Sequence, residues 1–168
     1  MLLINAFAPA GEGHDAELVL SFELRSKHRL RTRTSSGEDA GLFLNDGLPL
    51  RDGDVLQATD GRRVRVRAAI EAQIEVRASD ARLLARAAYH LGNRHVHIEV
   101  GDGVLRIAAD SVLADMLAQM GLQPLPVDAA FNPETGAYGG GHHHSHGKDS
   151  TYQYAPKLHL FNEAGTLT

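Results

Sequence analysis

Hydrophobic and polar positions follow a period of two along the first half of the chain, and that rhythm breaks near residue 78. Residues 17–22 and 41–44 are short apolar runs. Lys27, Arg29, Arg31 and Arg33 recur at every second position, which on a strand puts all four on one face. Asp46-Gly47, Asp52-Gly53 and Asp60-Gly61 readily supply the positive φ of hairpin turns. Between and after them, residues 55–58, 64–67 and 73–77 are strand-like. Short strands with regular turn signals predict a small all-β domain over residues 1–78, a barrel or sandwich.

After Ser79 a helical period takes over. Ser79 or Asp80 can cap a helix whose apolar stripe is Ala81, Leu84, Ala88 and Leu91, and Gly92-Asn93 ends it. Val96, Ile98 and Val100 then alternate with His95, His97 and Glu99, the pattern of a strand. Asp102-Gly103 turns the chain into a strand over 104–107. Asp110 or Ser111 opens a second helix with Val112, Leu113, Met116, Leu117 and Met120 on its apolar side and Gly121 as its stop. Residues 122–127 make a last, Pro-broken strand. With residues 73–77 as first strand, this half reads β-α-β-β-α-β, the ferredoxin-like order. The fold class is therefore α+β, with a domain over 79–138. From 139 to 168 periodicity is lost, and the segment is expected to be a largely disordered tail.

Composition narrows the function. A chain of 168 residues with 43% hydrophobic content suits one average domain or two small ones, and dimerisation helps small domains bury apolar surface. Cysteine is absent, so there is no disulfide, thiolate ligand or cysteine nucleophile. Net charge is −4 and residues 1–78 carry 11 Lys+Arg against 12 Asp+Glu, a balance that speaks against nucleic acid. The arginine faces at 27–33 and 63–67 have no interleaved aromatics for base stacking, so they read as solvated sheet surface or as a site for an acidic protein. No run approaches the ~18 apolar residues of a membrane span, and the N-terminus lacks the pattern of a signal peptide. A soluble cytoplasmic protein is expected.

The remaining chemistry is histidine. The chain has 10, with His90, His95 and His97 clustered and His142, His143, His144 and His146 in a Gly-flanked run. Imidazole suits nickel, copper and zinc. On one strand face His95, His97 and Glu99 would stand roughly 6.5–7 Å apart, too far to converge on one ion easily. A single strand is a poor site, and two copies facing each other across a twofold make a better one. On the residues alone, ordinary polar positions on a strand face are the simpler reading. His90 reads as a packed helix-end residue or a ligand. The run at 142–146 is a metal-binding tract by composition, and His159 is a further candidate.

The stretch Tyr89-His90-Leu91-Gly92-Asn93-Arg94-His95, with Gly-Ala-Tyr at 136–138 before the histidine run and Arg-Asp-Gly-Asp-Val-Leu at 51–56, resembles the UreE family of nickel metallochaperones. The resemblance covers most of the chain. It implies a homodimer in which His95 of each subunit is a ligand to a shared Ni²⁺. It further implies partnership with the urease accessory GTPase UreG and the urease apoprotein complex, and no catalysis. Two features depart from the pattern. His97 stands where many relatives have Pro, and the start of the second helix, Ile107 to Ser111, lacks the extra histidines some relatives carry. Tail histidines then become the main candidates to complete coordination, with His97 and His159 secondary. Zn²⁺ or Cu²⁺ can bind the same donors. The competing reading is a His-rich metal buffer without delivery. An enzyme is disfavoured, because a hydrolytic metal centre wants three preorganised protein ligands and an open position.

Overall fold

The computed structural model describes residues 1–45 and 47–135. The expected tail, with His142, His143, His144, His146 and His159, lies outside the described residues. Six strands, β1 (Leu2–Phe7), β2 (Ala16–Leu20), β3 (Arg29–Arg33), β4 (Asp39–Phe43), β5 (Val55–Ala58) and β6 (Arg63–Ala68), form one barrel-like sheet. Its order is β2-β6-β5-β1-β4-β3, with β1–β4 and β2–β6 parallel and the remaining pairs antiparallel. A hydrogen bond from the Ser35 N–H to the Glu17 carbonyl (2.8 Å) links the chain beyond one edge strand to the other edge. Inward positions such as Leu2, Ile4, Leu18, Leu20, Leu42 and Val64 fill its core. A short helix, α1 (Phe22–Arg25), interrupts the β pattern, capped by Ser21.

The sheets divide at Ala69. β7 (Ile70–Arg77), β8 (Glu99–Gly101), β9 (Val104–Ala108) and β10 (Leu125–Ala130) form an antiparallel sheet of order β10-β7-β9-β8. Helices α2 (Ala81–Gly92) and α3 (Ser111–Gln119) supply the crossovers. Each starts on an aspartate, which decides between the two caps the sequence offered in each case. Asp80 accepts from the Arg82 N–H (2.9 Å) and Asp110 from the Leu113 N–H (2.9 Å), satisfying donors at the first turn. Val76, Leu105 and Ile107 on one sheet face pack with Ala87 and Leu91 of α2 and Leu117 of α3. The opposite face is polar and tied together. Arg106 donates to Glu75 (2.7 Å) and to Glu99 (2.8 Å), and Arg77 donates to Glu75 (2.6 Å).

Four sequence expectations need correction. The strand expected from His95 begins only at Glu99, so His95, His97 and Glu99 do not line one strand face. The strand expected over 122–127 runs from Leu125 to Ala130. Val112, expected on the apolar side of α3, is 74% exposed, while Leu113 and Met116 pack inward. The N-terminal residues, read only as mildly apolar, make the central strand β1.

Residues 131–135 cross from the second sheet to the first. Glu134 N–H donates to the Ile98 carbonyl (2.8 Å), and Asn132 N–H to the Glu99 carboxylate (2.6 Å). Arg25, 3% exposed, donates to the carbonyls of Leu50 (3.0 Å) and Phe131. Burial lowers the Arg25 pKa, against the pull of the neighbouring carboxylates led by Glu71. A buried guanidinium with carbonyl partners is a staple: it fixes the strap 131–135 between the two sheets.

Candidate metal centre at the end of the second helix

The residues Gly92 to Val96 wrap the C-terminus of α2. The His95 N–H donates to the Gly92 carbonyl (2.9 Å) and the Val96 N–H to the Leu91 carbonyl (3.2 Å). That crossed pair of bonds is the Schellman motif, which satisfies carbonyls the helix leaves without partners. The motif needs one residue in the left-handed region, and here it is His95, with φ 56°. Among the described residues His95 is the one non-glycine residue at positive φ. An L-residue there is disfavoured by roughly 1–2 kcal/mol, because its Cβ crowds the carbonyl oxygen. Val96 turns back onto the helix and joins the core beside Leu91.

This conformation makes His95 a protruding, exposed side chain at the tip of a rigid cap. Arg94 is held by a bond from its guanidinium to the His90 carbonyl (3.0 Å). His90 is half-buried and packs edge-on against Tyr89, with ring centroids 5.4 Å apart. His97 faces elsewhere. Its ring meets Phe22 of α1 edge-on at 4.8 Å, and it lines a cleft of about 360 Å³ with Phe22, Glu71, Asp110 and Phe131. Among the described residues no group of three or more His, Asp or Glu side chains is arranged to hold a metal. A lone imidazole at the end of a cap can donate one ligand. Further ligands are left to a second copy, to residues outside the described ones or to water.

The strap bears on this. Glu134 is bonded to Ile98, three residues from His95, so the chain leaves the described region close to the motif. The residues that set this exit, Arg25, Glu99 and Asn132, were missed in sequence. Arg25 stands in no motif, and its burial is the only signal of its role.

The sequence models of the UreE urease accessory protein match both halves: the N-terminal domain at residues 4–69 and the C-terminal domain at 71–156. Both halves are thus those of an accessory protein that serves an enzyme and is not itself one. The chain is 57% identical to the urease accessory protein UreE of Azotobacter vinelandii, over 96% of this chain and 98% of that one. It is 58% identical to UreE of Pseudomonas fluorescens strain SBW25 over 87% and 89%. It is 53% identical to UreE 2 of Pseudomonas syringae pv. tomato over 96% and 98%. The chain belongs to the UreE urease accessory protein family, and its role lies in urease maturation.

Proposed function

We propose that this chain is a dimeric nickel carrier that delivers Ni²⁺ to the urease maturation machinery. Two His95 side chains, one from each subunit, hold the ion at the dimer axis. Histidines 142, 143, 144 and 146 of the tail fill further positions, with His97 and His159 as secondary donors. The C-terminal half is read as a ferredoxin-like domain that binds metal and dimerises, and UreG and the urease apoprotein complex as the partners that receive the ion in the cytoplasm. Zn²⁺ and Cu²⁺ compete for the same imidazoles.

The observation that carries this reading is the placement of His95. A helix cap that favours glycine holds a strained, exposed histidine instead, inside an intact Gly92-Asn93-Arg94-His95 motif. Strain of this kind concentrates where a side chain is needed in a set position. One exposed ligand per subunit also suits a carrier, because neutral ligands at an open site release metal readily.

Calorimetric nickel titration of His95→Ala, with the mass of the dimer measured in parallel, tests it. The expected result is loss of the tightest site with the dimer retained. A His95→Ala dimer that keeps that site overturns the assignment. Removing residues 139–168 should lower nickel stoichiometry and leave a site at the axis.

A further inference from the structure

The second helix carries a charge pattern that metal binding by His95 does not explain. From Ala81 to Ile98 the chain has three arginines and no acidic residue. Arg82 and Arg86 lie one turn apart on the outer face of α2, both exposed, with Tyr89 between them and the helix end, 65% exposed. Arg94 follows at the cap, directly before His95. From Arg82 to Arg94 the stripe is about 18 Å long at the helical rise per residue.

The other cation rows are matched at most of their members, and among the described residues only Arg29 and Arg65 in them pair with no carboxylate or carbonyl. Arg31 and Arg33 share Asp39 at 3.7 and 3.0 Å. Arg62 bonds Glu38 and Asp60, and Arg67 lies by Glu17 and Asp52. Arg63 spends its guanidinium on the carbonyls of Pro9, Gly11 and Gly13. Among the described residues no carboxylate pairs with Arg82, Arg86 or Arg94. Like charges four apart weaken a helix, so the stripe is not there for stability. It also sets positive charge beside a site meant for a cation.

We propose that the outer face of α2 is the docking surface for an acidic face of the protein that receives the metal. This rests on the carrier reading above and adds where the receiver sits. Charge complementarity names the occupant. With the twofold at His95, as proposed above, Arg86 and Arg82 lie nine and thirteen residues back along the chain, roughly 13 and 19 Å from the axis at the helical rise, and a second copy that did cover them would add cations to cations. An acidic partner neutralises them, while Tyr89 supplies an aromatic anchor of the type enriched at interfaces. Docking there brings the receiver's carboxylates to the end of the helix that presents His95. Carboxylates arriving beside His95 also lower the local positive potential as the ion changes hands.

The test is calorimetric binding of the full-length nickel-loaded dimer to purified UreG at about 50 and 300 mM salt, where screening differs strongly. Arg82→Glu with Arg86→Glu is expected to weaken binding at least about tenfold at low salt and to flatten the salt dependence. Arg82→Gln with Arg86→Gln should fall between that pair and the wild type, and Arg29→Glu with Arg31→Glu on β3 should leave affinity unchanged. Nickel stoichiometry and dimer mass should be those of wild type throughout. Wild-type affinity in the α2 reversal, or equal weakening by the β3 reversal, overturns the docking surface. Loss of the dimer in the α2 reversal overturns it too, since the face then belongs to the contact between copies. A wild-type chain that never binds UreG defeats the delivery reading itself.

Discussion

The two helices of the C-terminal half end in the same hydrogen-bonded cap, built with different residues. At the end of α3, the Gly121 N–H donates to the Ala118 carbonyl (2.9 Å) and the Leu122 N–H to the Leu117 carbonyl (3.1 Å). Gly121 sits at φ 91°, where glycine is at no disadvantage, and Leu122 is 5% exposed. At the end of α2 the bonds repeat, yet His95 takes the left-handed position and Val96 is only half-buried. The α3 cap is optimised for folding. The α2 cap gives up stability and holds an imidazole out from a fixed backbone, which is what the binding role proposed for His95 requires.

The largest effect expected from breaking this contrast is on metal. His95→Gly should abolish the tightest nickel site, measured by titration calorimetry, while raising folding stability by about 1 kcal/mol through relief of the left-handed strain. A stabilised variant without that site separates the two roles of the position; a destabilised one removes the claim of strain. Next in size is Leu122→Ala. Deleting this buried contact should cost about 2–4 kcal/mol in denaturant unfolding, against a smaller loss for Val96→Ala. Equal losses would mean that the two caps are anchored alike. Gly121→Ala should cost about 1 kcal/mol without touching nickel binding, because nothing lies within 4 Å of the added methyl and only the backbone resists.

The smallest effect is electrostatic. Arg77 and Arg106 hold the Glu75 carboxyl below the usual carboxylate range, and Arg106 also grips Glu99 at the start of β8. A depressed folded pKa contributes stability above the unfolded value of about 4.3, which is lost as pH falls through the folded value. Glu75→Gln should therefore make the acid limb of the stability curve shallower below about pH 4. An unchanged limb would show that the network past the α2 cap does not contribute. On the carrier reading nickel binding should follow a separate course and weaken on acidification, because a protonated imidazole is no longer a ligand.

The same caps explain where the sequence was legible and where it misled. The helix starts were plain because Asp80 and Asp110 precede apolar stripes, β5 and β6 were plain because Asp-Gly turns bracket or precede them, and β3 because its cations alternate. Both misplaced strands follow a helix cap. Val96 and Leu122 were counted as first inward residues of strands, but each is apolar because it folds back onto its own helix. His95-Val96-His97-Ile98 then mimics strand alternation without pairing in a sheet. Gly92-Asn93 marked the helix stop where it falls, with Asn93 as the C-cap, but the left-handed residue lies two positions on at His95, and a histidine there has no compositional signature. His95 was a candidate by its motif alone, and its left-handed, exposed placement could not be read from the sequence. The strap was invisible, because Arg25 and residues 131–135 meet only through tertiary packing.

The bond between Glu134 and Ile98 has one further consequence. It pins a point of the chain near His95, and His142 follows Thr135 by seven residues, at most about 25 Å of extended chain. On the carrier reading, an imidazole tethered within that distance would compete for the ion at an effective concentration on the order of millimolar, whatever the protein concentration in solution. Their recruitment, if they join the ion as proposed, would be set by the geometry of the anchor and not by dilution. Cutting the anchor, by Glu99→Ala or Arg25→Ala, would lengthen the leash without removing a single donor.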